Sequence, residues 1–226
     1  MRILLIGCEV LIRELCDAIV RSPHVVDARF LTKGLHDRGA RVMREGVQAA
    51  IDERTVLDAF RAQAEALAEG GADALLFETF SDVDEARLAV RAAQPLGLPI
   101  LVSFAFDSGR QKDRTMMGVT PETAARAMAD EGVDAVGANC GAGPEFFPAI
   151  CRRLKESSGL PVWVKPNAGL PALSDGRAVY TMGPESFSSY LPALIAAGAS
   201  FVGGCCGTSP DFIRALVEVA GTCESC

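Results

Sequence analysis

The sequence lacks any run of lysines and arginines and any basic stripe interleaved with aromatics, and its formal net charge is −7, so the usual means of holding nucleic acid are missing. No apolar stretch reaches the roughly 20 residues that a membrane-spanning helix needs. The apolar start Ile3-Leu4-Leu5-Ile6-Gly7 is too short for the core of a secretory leader and runs into Glu9, Arg13 and Glu14. A cytoplasmic protein is therefore expected. Histidine is scarce, and the only two, His24 and His36, read as residues at loop edges. Cysteine is not scarce: eight in a reducing compartment argue for metal or redox chemistry over disulfides. The remaining composition, 49% hydrophobic and 23% charged over 226 residues, is that of one globular domain of ordinary size.

Apolar strands alternate with amphipathic helices along the chain. Residues 3–8 read as a strand ending in Cys8, 10–21 as a helix stopped by Ser22-Pro23, 24–31 as a second strand and 43–51 as a helix. From residue 53 the alternation is steady. Helices are predicted at 54–69, 82–93, 121–130, through Cys151, at 185–197 and at 210–220. Strands are predicted at 73–78, 99–104, 133–141, 161–165 and from Phe201, and 107–117 and 167–183 read as loops. Strands separated by helices of about a dozen residues mean βαβ units and a parallel sheet. Five strands in this part and two before it make seven, one short of a (β/α)8 barrel. The expected fold class is α/β, a TIM-like (β/α) barrel that is incomplete or atypical at its N-terminus. Residues 1–52 are expected to form a βαβα segment packed on a barrel portion, 53–226. Open sheet edges invite association, so a homodimer or hetero-complex is expected.

The chemistry-bearing stretch is Phe201-Val202-Gly203-Gly204-Cys205-Cys206-Gly207-Thr208-Ser209-Pro210. A short strand breaks at two glycines, presents adjacent thiols and turns into a helix started by Ser209-Pro210. Adjacent strand residues point to opposite faces, so regular packing does not explain the vicinal pair. A second strand ends in Asn139-Cys140-Gly141. Taken alone, Cys140 reads as a small core hydrophobe. With Cys205 and Cys206 it makes three thiols at two strand ends, the rim where barrel chemistry sits. Three thiolates with a fourth position open describe a zinc site that does chemistry, because a structural site would be closed. An all-thiolate zinc centre favours alkyl transfer to a thiol over hydrolysis.

Gly137-Ala138-Asn139-Cys140 and Gly203-Gly204-Cys205-Cys206-Gly207 resemble the two cysteine motifs of the homocysteine S-methyltransferase family. That family includes the homocysteine-binding module of cobalamin-dependent methionine synthase and betaine–homocysteine methyltransferase. Phe77-Glu78-Thr79-Phe80-Ser81-Asp82 resembles its glutamate motif and Pro166-Asn167-Ala168-Gly169-Leu170-Pro171 its proline-asparagine-glycine loop. The four motifs stand in the family's order over about residues 53–220. The resemblance implies zinc on Cys140, Cys205 and Cys206, homocysteine or a similar thiol as acceptor, and Glu78 on the substrate ammonium. Glu78 also reads as a helix-terminus charge, and Asn167 as either a site-lining or a turn-forming residue. Ser103 ends a strand on the same rim and is a candidate for the substrate carboxylate. Cys151 reads as core, and Cys223 and Cys226 as an exposed terminal pair. The family's glycine-rich first strand is not recognisable here. Residues 1–52 instead resemble an uncharacterised family found beside corrinoid methyltransferases, on Gly7-Cys8-Glu9-Val10-Leu11, Arg13-Glu14-Leu15, Ser22-Pro23-His24 and Gly34-Leu35-His36-Asp37. The implied methyl donor is a small molecule or a methylated corrinoid protein. The alternative reading is a non-catalytic zinc- or thiol-binding accessory protein of a corrinoid methyltransferase system; a zinc or thiol sensor is a third.

Overall fold

The computed structural model describes the backbone of residues 2–8, 25–31, 53–174 and 177–222, with side chains over 53–172 and 179–221. The helices expected at 10–21 and 43–51, His24, His36, the Cys223 and Cys226 pair and the side chain of Cys8 lie outside the described residues. The chain divides into two compact units, Met1–Ala59 and Phe60–Cys226. In the first, β1 (Arg2–Cys8) and β2 (Val25–Leu31) pair in parallel, Arg2 beside Val25 and Cys8 beside Leu31. Helix α1 (Glu53–Glu69) runs across the boundary.

The second unit alternates strand and helix. In chain order it contains β3 (Leu75–Phe80), α2 (Val83–Ala93), β4 (Ile100–Phe104), α3 (Pro121–Asp130), β5 (Ala135–Cys140), α4 (Phe147–Ser158) and β6 (Val162–Pro166). There follow β7 (Ala172–Ser174), β8 (Arg177–Val179), α5 (Pro184–Ser188), α6 (Leu191–Ala196), β9 (Ala199–Val202) and α7 (Pro210–Thr222). One parallel sheet runs β3-β4-β5-β6-β9, each strand beside the next in the chain. That sequential order is the winding of a (β/α) barrel. With β1 and β2, the described residues carry the seven parallel strands that the sequence predicts.

The register explains both faces of the sheet. Phe77, Val102, Val136 and Val162 form one row, and Phe104, Ala138, Val164 and Val202 another. Val102, Val136, Val162, Phe104, Ala138 and Val164 belong to the buried core, together with Ala86, Ala89, Met128, Ile150 and Leu154, and the partly buried Phe77 and Val202 pack against it. Pleat alternation sends Ser103, Gly137, Trp163 and Phe201 to the other face. There the Trp163 and Phe201 rings lie 5.3 Å apart. Gly137 is required at this point, since a Cβ would stand 2.2 Å from the Trp163 carbonyl oxygen. Two residues past that row Asn139 lies beside Lys165, and one further on Cys140 lies beside Pro166, so the strand ends carry the chemistry-bearing residues on one rim.

Two expectations are corrected. The helix expected over 185–197 is two, α5 and α6, broken around Ser189-Tyr190. Pro192 has no N–H, and its ring would collide with the Ser188 carbonyl in a continuous helix. The loop expected over 167–183 contains the antiparallel pair β7–β8, with Ala172 beside Val179 and Ser174 beside Arg177.

Candidate metal centre at the strand ends

Strand β5 ends by turning into left-handed backbone, Cys140 at φ 65° and Gly141 at φ 71°. Few residues other than glycine, asparagine and aspartate adopt this conformation, so surrounding structure must hold Cys140 there. The hold comes from Pro166-Asn167-Ala168 at the end of β6. Its Asn167 N–H donates to the Cys140 carbonyl at 3.2 Å. On its other side, Cys205 N–H donates to the Pro166 carbonyl and Ala168 N–H to the Cys206 carbonyl, each at 2.9 Å. The Asn167 side chain repeats the bridge. Its Nδ2 donates to the Gly141 carbonyl at 2.7 Å and faces Cys140 Sγ at 3.5 Å, while its Oδ1 accepts from Cys206 N–H at 3.0 Å. One loop thus ties both cysteine loops together.

Cys140, Cys205 and Cys206 are brought together, with their three sulfurs all within 4.8 Å of one another. Cys205 and Cys206 Sγ lie 4.0 Å apart. Zinc–sulfur bonds of about 2.3 Å at tetrahedral angles put sulfurs about 3.8 Å apart, so the cluster matches what one ion requires to within small side-chain movements. Burial, the charges of Cys205 and Cys140 and hydrogen bonds with them push the Cys206 thiol up to about 11. Thiolates repel one another at this spacing, and a cation among them offsets that repulsion. This is the chemistry of a metal-ligand set. Cys151 differs from the three: it is buried in α4, its thiol faces the Ala197 carbonyl at 3.6 Å and burial raises it to about 11.

A second network supports the centre, and composition and spacing had not singled it out. Asn139 is 1% exposed. Its Oδ1 accepts from Thr79 N–H at 2.9 Å and from the Ser103 hydroxyl at 2.6 Å. Its Nδ2 donates to the Thr79 hydroxyl at 2.6 Å and faces Cys205 Sγ at 4.0 Å. Thr79 sits at φ 70°, a marked departure for a β-branched residue. Asn139 therefore fixes an unfavourable turn at the end of β3 and supports a cysteine at the same time. Ser103 is fully buried with its hydroxyl given to Asn139. The Glu78 carboxylate meets Lys165 Nζ at 2.7 Å. Adjacency to a cysteine was the available signal for Asn139, and adjacency to Glu78 for Thr79. Lys165 gave none.

The comparisons with known proteins agree with this geometry. Two curated relatives are the methionine synthases of Mycobacterium leprae (strain TN), 36% identical over 178 residues, and Mycobacterium tuberculosis (strain ATCC 25618 / H37Rv), 38% identical over 164. The matches cover 76% and 70% of this chain but 14% of each relative, so the chain spans about one seventh of their length. Among solved structures, the apo form of the homocysteine methyltransferase MmuM from Escherichia coli aligns with a TM-score of 0.60 at 22% identity, covering 96% of this chain and 95% of that one. Its metallated form aligns at 0.58 and 23%, covering 93% and 68%. At these identities the structures establish the fold. The homocysteine S-methyltransferase family model matches residues 11–220, beginning well before the motifs alone suggest. The chain belongs to the homocysteine S-methyltransferase family.

Proposed function

We propose that this chain moves a methyl group onto homocysteine or a related small thiol, with zinc held by Cys140, Cys205 and Cys206. The observation that carries the proposal is the convergence of three sulfurs from two strand ends within 4.8 Å. Three protein donors leave a tetrahedral ion one open position, as in zinc sites that act on substrates. The family membership supports the acceptor, and a solved homocysteine methyltransferase of this fold has a metallated form. When bound, the zinc supplies the positive charge that lets a substrate thiol ionise near neutral pH.

The chain's own residues set up the reaction. Asn167 holds the Cys140 and Cys206 loops at a fixed separation, and Asn139 steadies Cys205. Glu78 is proposed to bind the substrate ammonium by a charge-assisted hydrogen bond. Lys165 keeps that carboxylate paired until the substrate arrives. Asn167 is proposed to line the substrate site beside the cysteines, and Ser103, held by Asn139, to serve the substrate carboxylate. The methyl donor is proposed to be a small molecule or a methylated corrinoid protein that docks at the rim. Assembly as a homodimer or hetero-complex is proposed from the sheet edges β3 and β9.

The resemblance of residues 1–52 to a family found beside corrinoid methyltransferases supports one further reading, a non-catalytic zinc- or thiol-binding accessory protein of a corrinoid methyltransferase system. Zinc–sulfur spectroscopy with a methyl-transfer assay separates the two. Three sulfur neighbours rising to four with homocysteine, and turnover with methylcobalamin, support the enzyme. A rise to four without turnover supports the accessory protein, and a count fixed at three refutes the acceptor. Zinc near one per chain, lost in Cys140→Ser, Cys205→Ser and Cys206→Ser, is the expected metal result.

A further inference from the structure

Glu78, near the end of β3, and Lys165, near the end of β6, meet at 2.7 Å although β4 and β5 stand between their strands in the sheet. Lys165 shares the face of Trp163, two residues back along β6, and its ammonium stands 6.0 Å from the centre of that ring. Its stem lies against Gly203, just past β9, where a Cβ would stand 3.2 Å from Lys165 Cγ and 3.8 Å from Cδ. Gly203 is two residues before Cys205, and Asn139 and Cys140 lie beside Lys165 and Pro166 in the register. The pair therefore sits among the strand ends that carry the three thiols. It is also open to solvent, the side chain of Lys165 being 23% and that of Glu78 31% exposed. An ion pair this open adds little to the stability of a fold, so a ligand can part it at small cost.

Charge decides which ligand can part it well. A thiol that carries only an amine would take Glu78 and leave the Lys165 ammonium unpaired in a half-buried place. A thiol that carries only a carboxylate would take Lys165 and strand Glu78. A charge left without a partner away from bulk water is penalised. An α-amino acid brings both charges on one carbon, so one internal ion pair is exchanged for two with the ligand. We propose that Lys165 and Glu78 together read the zwitterionic head of an α-amino acid thiol, Lys165 taking the carboxylate and Glu78 the ammonium, while the sulfur goes to the cysteine cluster. Ser103 can add only a neutral hydroxyl whose proton is given to Asn139, so the countercharge to the carboxylate comes from Lys165. The inference rests on the reading of this site as one for a small thiol, and it names Lys165 as the residue that selects amino-acid thiols over thiol amines and thiol acids.

The test uses the full-length zinc-loaded protein and three thiols of similar reach: homocysteine, 3-mercaptopropylamine, which lacks the carboxylate, and 4-mercaptobutyrate, which lacks the ammonium. Calorimetry gives their affinities for the wild type, Lys165→Met, Lys165→Arg and Glu78→Gln, and zinc is measured in each sample. The wild type should bind homocysteine roughly tenfold or more tightly than either analogue, the scale of one hydrogen bond to a charged group. Lys165→Met should keep its zinc and bind homocysteine and 4-mercaptobutyrate roughly tenfold more weakly. It should bind 3-mercaptopropylamine more tightly than the wild type does, because Glu78 no longer has an internal partner. Glu78→Gln should show the mirror image, and Lys165→Arg should keep the wild-type order. A lysine with a merely structural role would shift all three affinities the same way, and that result overturns the proposal while leaving the thiol site standing. Unchanged homocysteine affinity in Lys165→Met, or loss of its zinc, overturns it too. A wild type that holds zinc and binds none of the three thiols overturns the acceptor reading and this proposal with it.

Discussion

Removing the Asn167 side chain tests the bridge between the two cysteine loops. The residue is 5% exposed, and Asn167→Ala strips the Gly141 carbonyl of a 2.7 Å donor and the Cys206 N–H of a 3.0 Å acceptor. Each net hydrogen bond is worth about 1 kcal/mol, and each buried group left unpaired costs about 1–3. Gly141 is buried, but Cys206 is partly open to water, which lessens its share. The expected loss is about 2–4 kcal/mol in all. Urea unfolding of the metal-free protein, followed by the fluorescence of Trp163, the only tryptophan, reads the folding component. Competition with a chromophoric chelator reads zinc affinity, which should fall about 10- to 100-fold, as when a group that orients a metal ligand is removed. Asn167→Asp keeps the acceptor for Cys206 N–H but turns a carboxylate oxygen toward the Gly141 carbonyl and Cys140 sulfur, so it should do no better than alanine. Asn167→Ala with stability within about 0.5 kcal/mol and zinc affinity within about twofold of wild type would refute the bridge.

Four further outcomes are expected. Cys151→Ser should leave zinc content unchanged, by metal analysis, in contrast to serine at Cys140, Cys205 or Cys206. Glu78→Ala should weaken homocysteine binding by about 1.5–3 kcal/mol in calorimetry while zinc stays bound. Hydrogen bonds from Arg153, outweighing burial, lower Glu122 from the 4.5 of a free glutamate to about 2; a depressed carboxylate stabilises the fold above pH 4.5, and that contribution is lost as pH falls from 4.5 toward 2. Glu122→Gln should cost about 1 kcal/mol at pH 7 and flatten the stability profile in that acid range, the pair being partly exposed. Gly137→Ala should destabilise by about 2 kcal/mol or more and shift Trp163 emission, because the new methyl meets a backbone oxygen.

The parts of the centre carried by local patterns were legible before the fold. A vicinal cysteine pair set among glycines after an apolar strand has few structural uses, and Cys140 repeated its context. The parallel order followed from the strand–helix alternation, which admits few windings. The supports were not legible. Asn139 and Thr79 stand 60 residues apart, and Lys165 and Glu78 87 apart, and only the folded sheet, which brings the end of β3 to residues of β5 and β6 across the strands between, makes them partners. The β7–β8 pair is a different case. Asp175-Gly176 stands between two short apolar-rich stretches, a strong local hairpin signal, but three-residue strands are shorter than the periodicity on which the reading relied. Pro192 likewise marked the break between α5 and α6 in plain view.

The stitching by Pro166-Asn167-Ala168 bears on how metal leaves and enters. Three backbone hydrogen bonds and the Asn167 amide join the ends of β5, β6 and β9, so no cysteine loop can swing away while its neighbour stays docked. Such a rim opens as one cooperative unit, and its amide protons should exchange with deuterium together rather than one by one. Metal release would then follow the opening rate of that unit and show no half-released species. A chelator in excess would speed loss only until the opening step limits it.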